Sequence, residues 1–300
     1  MKKLAMIMMA MLFIFTAGCK TSVETLNIAV ELNDHAASAY IAKDRDDFNK
    51  YGIEVDLFEQ YDTGMTLAAA LARGDINVGY ICVIPAIISY ARGVPIKIVS
   101  LTHQYGYELV SKQEIASVQE LDGKKVACPK EGSSANFVMK LVEEQYGIKF
   151  NVLGTNPLVA MSALSNGSVD AVFIPEHYAS ILVSQGFKIL LRAQDVFPEM
   201  PGSCIVVKND IIETKPAVVK KLIKLNIAET NFINKNQKEA AKILSGYLNT
   251  DEIIIENSMK NIAYTNSLNV ANIQFVIDKL ADWGYIDERF NAEDAIWAEN

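Results

Sequence analysis

Three kinds of residue in this 300-residue chain sit where their chemistry could converge: serines opening a helix, histidines just past apolar runs, and cysteines inside them. Glu131 to Phe137 reads EGSSANF. It follows Lys125-Val126-Ala127-Cys128-Pro129 and precedes an amphipathic segment carrying Phe137, Val138, Leu141, Val142 and Tyr146. Strand, glycine turn and helix in that order direct several backbone N–H groups at one spot, a place to hold an anion. Gly132 lets the chain approach closely, and Ser133 and Ser134 are good N-cap residues whose hydroxyls add donors. The same residues also make an ordinary capped helix start, so the motif alone leaves both readings open.

The three histidines, His35, His103 and His177, each fall just after an expected strand. Brought into one cleft they would suit either zinc or hydrogen bonding to a ligand. Their spacings are too wide to test this; hydrogen bonding is the preferred role, and no metal is assigned. Past Cys19 only Cys82, Cys128 and Cys204 remain, an odd number at no metal-site spacing and all in apolar runs, which points to buried free thiols. There is no G-x-S-x-G elbow, no H-E-x-x-H, and no Walker or dinucleotide glycine pattern.

Half the residues are hydrophobic and about a fifth charged, the balance of a globular chain with length for one large or two medium domains. Lys2 and Lys3, the uncharged run Leu4 to Phe15, and Thr16-Ala17-Gly18-Cys19 together make a secretory signal, the run being too short to span a membrane. Small residues directly before a cysteine resemble the bacterial lipoprotein box, in which the cysteine is lipidated and becomes the mature N-terminus. Ala17, Gly18 and Cys19 fit that box. Thr16 stands where a leucine-like residue is usual, which keeps a plain cleaved signal as the alternative. Residues 1–18 are therefore expected to be signal, Cys19 the lipidated residue, and 19–24 a tether. Loss of 1–18 leaves 26 basic against 36 acidic residues, a net charge of −10. An acidic exported chain has no electrostatic reason to hold nucleic acid.

The elements that must position these residues alternate. Strands are expected at Leu26–Val30, Ile53–Phe58, Asn77–Ile81 and Ile96–Leu101, with helices between them ending at Gly52, Gly74 and Ala91. The next hundred residues repeat the pattern. Strands are expected at Lys125–Cys128, Ile148–Val152, Val169–Ile174, Phe187–Leu191 and Cys204–Val207, and helices at Ser134–Tyr146, Pro157–Ser165 and Glu176–Ser184. Such alternation predicts α/β architecture with mostly parallel sheets. Ala70 to Ile81 (ALARGDINVGYI) also matches Ala163 to Ile174 (ALSNGSVDAVFI), each a helix whose terminal glycine turns directly into a strand. Two similar lobes are the better reading. From Lys215 onward the pattern is helical.

The signal segment, the first strand and its helix, ALARGDINVGYI, LDGKKVACPKEGSSANF, ALSNGSVDAVFIPEHYAS and the helical C-terminal third resemble the substrate-binding proteins of bacterial ABC importers. The nearest group is the one that binds sulfonates, nitrate, taurine and thiamine precursors. The resemblance runs from about Leu26 to Val207 and more weakly beyond.

That resemblance implies a two-lobed periplasmic-binding-protein-like fold (type II). Each lobe would be a mixed, mostly parallel sheet flanked by helices, with a cleft between them. Lobe one would be residues 25–103 plus 205–300 and lobe two 104–204, crossing at Tyr105 to Val110 and Pro201 to Val207. Ligands in open α/β sheets sit beyond the carboxyl ends of strands. The rule nominates Asn33, His35, Thr63, Gly64, Cys82, Val83, His103 and Gln104 directly after the first four strands. From lobe two it nominates Ser133, Ser134, Asn136, Glu176, His177 and Tyr178. Thr63 and Ser133 would also serve as caps, and Glu176 is favoured at a helix start by the dipole in any case.

The implied function is the extracytoplasmic solute-binding part of an ABC uptake system. It would capture a small, anion-bearing organic molecule between closing lobes and deliver it to a permease powered by a separate ATPase. The chain would be a monomer held by its N-terminal lipid on the outer side of the cell membrane or in the periplasm, with no cofactor, metal or catalytic residue. Relatives on this fold that make a thiamine pyrimidine or act in menaquinone synthesis keep an enzyme as the alternative. The cysteine-rich motif of the pyrimidine-forming relatives is absent, and those relatives work inside the cell.

Overall fold

A computed structural model describes residues 25–298; the expected signal segment, Cys19 and the tether lie outside them. The strands are β1 (Thr25–Glu31), β2 (Glu54–Tyr61), β3 (Val78–Cys82), β4 (Ile96–Tyr105), β5 (Tyr107–Ser111), β6 (Lys125–Cys128), β7 (Asn151–Gly154), β8 (Ala171–Pro175), β9 (Lys188–Arg192), β10 (Pro201–Lys208) and β11 (Ile262–Tyr264). They form a six-stranded sheet in the order β11-β4-β10-β3-β1-β2 and a five-stranded sheet in the order β7-β6-β8-β5-β9. Helices cover both faces, giving the expected two-lobed α/β fold.

The two sheets repeat one arrangement. β1 lies parallel to β2 and β3 as β6 does to β7 and β8, and β10 and β5 run antiparallel beside β3 and β8. The echo in the sequence falls on β3 and β8 with the helices before them. Gly74 and Gly167 end those helices at φ of 88° and 80°, where a glycine carries no Cβ penalty. Antiparallel pairing takes a larger share of both sheets than strand–helix alternation implies. The strands that pass between the sheets enter them against the direction of the βαβ units.

Burial explains the strand sequences. β3 reads VGYIC and is buried throughout, as a strand covered on both faces must be. The two-residue period divides β1: Leu26, Ile28 and Val30 pack with Tyr40, Leu222 and Leu225, while Ala29 packs with Leu67 and Leu71 on the other face. Gly79 permits that second face to close, since a Cβ there would lie 2.9 Å from Leu67 Cδ2 and 3.2 Å from Val206 Cγ2.

The chain passes from β4 to β5 through Gly106 alone. Tyr105 and Gly106 take φ of 64° and 82°, two successive left-handed residues that turn the backbone from one sheet into the other. It returns after β9 through residues 193–200 and rejoins the first sheet at Pro201. Gln104 and residues 201–204, expected in the second lobe, thus pair within the six-stranded sheet, Pro201 opposite Gln104 and Cys204 opposite Ile81. The Tyr105 N–H donates to the Met200 carbonyl at 3.1 Å and ties the two crossings together.

Two histidines pack these crossings. His35 Nε2 is 2.8 Å from the Gly106 carbonyl oxygen, and the His35 and His103 ring centroids are 4.2 Å apart. His103 Nδ1 is 3.2 Å from its neighbour's carbonyl, Gln104 O, and its ring occupies the space a Cβ at Gly202 would need. Burial disfavours the charged imidazole, pushing His35 well below its ordinary range and His103 down to about 4.

Two outcomes are expected. A Cβ at Gly106 would lie 2.6 Å from His35 Nε2 on a residue at positive φ. Gly106→Ala should therefore cost about 1–3 kcal/mol, seen as a lower urea midpoint at an unchanged slope. His103, neutral when folded, binds its proton near pH 6.5 only after unfolding. Its contribution is complete above that pH and is lost as the pH falls toward 4. The stability gap between wild type and His103→Gln should then narrow by roughly 1–3 kcal/mol between pH 7 and pH 4.5, followed by urea unfolding. A gap constant with pH would refute it.

Candidate ligand-binding cleft

Residues just past the carboxyl ends of strands from both sheets line one cavity of about 30 Å³, room for a water or two. The first sheet supplies Glu31, Asn33, Thr63, Gly64 and Cys82; the second supplies Tyr107, Ser133, Ser134 and Pro175. A groove of about 500 Å³ shares Asp62, Thr63, Met65 and Pro129 with this cavity and adds Lys130 and Asn156.

Local sequence places the polar groups. Ser133 caps the Ser134–Tyr146 helix: its Oγ accepts the Asn136 N–H at 3.1 Å and donates to the Pro129 carbonyl at 3.2 Å. Ser134 follows in the first turn. Its Oγ is buried with no hydrogen-bond partner, lying beside the Tyr107 hydroxyl but outside bonding geometry. Across the cavity Thr63 caps the Gly64–Arg73 helix in a capping box with Thr66, each backbone N–H donating to the other's Oγ1 at 3.3 Å. Two helix N-termini therefore point into the space between the sheets.

The two ends differ in what meets them. At the Gly64 helix the meeting group is a carboxylate of the protein itself. Glu31, the last residue of β1, is buried; its Oε1 accepts the Cys82 N–H at 2.6 Å and lies against Gly64 at the helix start. Oε2 receives only the Cys82 thiol at 3.1 Å and the Asn33 amide at 3.4 Å. Desolvation raises the Glu31 pKa, and these donors oppose the rise. The Cys82 Sγ lies 2.8 Å from the Tyr107 hydroxyl, so a chain of contacts runs from β1 through β3 to β5 in the other sheet. Burial pushes the Cys82 thiol well up, which keeps it protonated.

Six of the nominated residues line the cavity: Asn33, Thr63, Gly64, Cys82, Ser133 and Ser134. The others lie elsewhere. Val83 is buried in the core behind β3. His35, His103 and Gln104 pack at the crossings. Asn136 accepts the Tyr285 hydroxyl at 2.8 Å in a neighbouring groove that shares Met65 and Pro129 with the cavity. Glu176 is fully buried, accepting from Ser180 Oγ at 2.8 Å and Asn261 Nδ2 at 2.9 Å. His177 Nδ1 is 3.8 Å from Asp34 Oδ1, with burial pushing the histidine down to about 3 and the aspartate up to about 7. The Tyr178 hydroxyl donates to the Leu32 carbonyl at 2.8 Å, bridging the sheets. The histidines do gather, but behind the cleft, bonded to backbone or facing Asp34. Among the described residues no group of three or more His, Cys, Asp or Glu side chains is arranged to hold a metal ion.

Sequence reasoning missed Glu31 and Tyr107. The strand-end rule looked past Val30, yet β1 runs one residue further, and the acidic Glu31 closing an apolar run was the available signal. Tyr107 follows the single-residue crossing at Gly106, which has no strand-end pattern of its own.

The lobes also meet outside the cleft. Trp283 Nε1 donates to Glu144 Oε1 at 2.7 Å and Lys279 Nζ lies 2.6 Å from Glu144 Oε2, bringing the end of the Val270–Asp282 helix onto the Ser134–Tyr146 helix.

Known proteins share this architecture. The crystal structure of the periplasmic aliphatic sulphonate binding protein of Escherichia coli matches with a TM-score of 0.79 at 20% identity, covering 92% of this chain and 93% of that one. The periplasmic nitrate-binding protein of Synechocystis PCC 6803 matches with a TM-score of 0.80 at 16% identity, covering 91% and 85%. In sequence, the taurine-binding periplasmic protein of Escherichia coli K12 is 26% identical over 209 residues, 67% of this chain and 64% of that protein. The fold is that of periplasmic binding proteins, and because the profile of the NMT1-like family matches residues 19–245, the chain belongs to the NMT1-like family.

Proposed function

We propose that this chain is the extracytoplasmic solute-binding component of an ABC importer, holding a small organic molecule between two closing lobes for delivery to a permease and its ATPase. The observation that carries the reading is the cavity itself. It lies between the two sheets, at the carboxyl ends of their strands, with a helix N-terminus presented from each side. The sulphonate-, nitrate- and taurine-binding names of similar proteins support the solute class. An anionic end of the solute would sit on the Ser133–Ser134 helix start, with Lys130 in the adjoining groove.

A cavity of about 30 Å³ is too small for an organic solute, so entry requires the lobes to part. The motion would be a rotation about Tyr105–Gly106 and residues 193–200, with lobes near the expected 25–103 plus 205–300 and 104–204. Ligand then favours the closed form by its differential affinity for it. Export by residues 1–18, lipid anchoring through Cys19 and a monomeric state complete the proposal. In this reading the serines are donors rather than nucleophiles, and the chain is a carrier rather than an enzyme of the thiamine or menaquinone type.

A thermal-shift panel of sulfonates, carboxylates, pyrimidines and polyamines should yield a stabilising solute. For that solute, Ser133→Ala with Ser134→Ala should weaken binding by at least about tenfold in titration calorimetry, while loss of the cap costs about 1 kcal/mol of stability. Unchanged affinity would sink the assignment of this helix start. Recovery of the solute chemically intact, checked by mass spectrometry after incubation, is the outcome a carrier requires.

A further inference from the structure

The cavity has an acidic wall and no basic one. Among the described residues lining it there is no lysine, arginine or histidine, while Glu31 and Asp62 both contribute carboxylates. Glu31 fills the position at the Gly64 helix start where an oxyanion would otherwise accept backbone N–H groups, and it forms no salt bridge with any described residue. A second anion placed there would face the first across a short stretch of low-dielectric space and be repelled by it. A buried carboxylate without a counter-cation is itself costly, and a cation supplied from outside removes that cost.

The two oxygens are unequally used. Oε1 holds the short bond from Cys82 N–H, but Oε2 has only a thiol at 3.1 Å and an amide at 3.4 Å, leaving lone-pair capacity for a stronger donor. On the opposite wall Ser134, only 1% exposed, leaves its Oγ without a hydrogen-bond partner in the same cavity. The space of about 30 Å³ lined by Gly64, Pro85 and Tyr107 has room for a group of a few atoms and none for a ring.

Building on the solute-binding reading, the geometry points to Glu31 as a specificity residue whose carboxylate seats a protonated aliphatic amine. The solute this chain carries is thus an amine-bearing molecule, its amine on the first lobe and its anionic end on the Ser133–Ser134 helix start. The expectation of an anion-bearing solute is thereby narrowed to one wall of the cleft.

The test uses the chain without residues 1–18 and matched probes. These are 2-aminoethanesulfonate against ethanesulfonate, 3-aminopropanoate against propanoate, and the small-molecule fraction of yeast extract before and after acetylation of its amines with acetic anhydride. Thermal shift should report stabilisation by the untreated extract and its loss on acetylation, and amine-bearing probes should bind at least about tenfold tighter than their partners. Glu31→Gln keeps an acceptor for the Cys82 N–H, so the free protein should melt within a few degrees of wild type yet lose the amine preference by about tenfold or more. Glu31→Asp should retain part of it. Equal stabilisation by acetylated extract, or undiminished amine preference in Glu31→Gln, would overturn the role of Glu31 while leaving a solute carrier intact. Absence of any shift, with defined probes and both extracts, would overturn the solute-binding reading and this assignment with it.

Discussion

A buried carboxylate joins three pieces of the first lobe. Glu31 ends β1, accepts the backbone N–H of Cys82 at the end of β3, and lies against Gly64 where the Gly64–Arg73 helix opens. Strand ends and helix starts leave backbone donors unpaired, and donors buried without partners destabilise a fold. One side chain meets both here, bonding the strand end and placing its charge at the helix start. The same contacts set the electrostatics of the cleft, since the helix start on this side is already neutralised and the one at Ser133 is not. The thiol of Cys82 carries the connection on to Tyr107, so the first wall of the cavity is tied to the first residue of β5 in the second sheet.

The crossing just behind this cluster is built by a complementary device, the absence of side chains. Gly106 and Gly202 leave room for the rings of His35 and His103, which fill the space between the two connections. Both rings are kept neutral by burial and bonded to backbone carbonyls, so they serve as packing with directional contacts rather than as charges. His177, Asp34 and Glu176 extend the buried polar layer, each facing partners on the other sheet or its helices. The layer is only partly paired, since Asp34 Oδ1, Glu176 Oε2 and His177 Nδ1 are buried without hydrogen-bond partners, and such groups are costly to keep between the lobes.

Much of the fold was legible in the residue order. The Ser134–Tyr146, Pro157–Ser165 and Glu176–Ser184 helices follow from their caps, from proline at a first turn and from apolar spacing. The strand expected at Ile148–Val152 instead forms at Asn151–Gly154. Ile148 and Phe150 are apolar because they fill the core from a loop, a role indistinguishable in sequence from alternate strand residues. The antiparallel share of the sheets was not legible, because which strand returns between sheets depends on pairing across nearly a hundred residues.

What the sequence determined by itself is local: the helix starts at Ser133 and Thr63, the glycine stops at Gly74 and Gly167, the repeated helix–strand unit, and the set of strand ends at which a ligand could sit. Only the tertiary structure decided which strand-end residues face the cavity and which turn away. Asn33 lines it while His35, two residues on, packs behind it, and Glu31 meets its donor on Cys82, 51 residues along the chain. Spacing along a chain fixes the face of a helix or strand, but not which distant backbone groups that face will meet, and it is those meetings that give the cleft its charge.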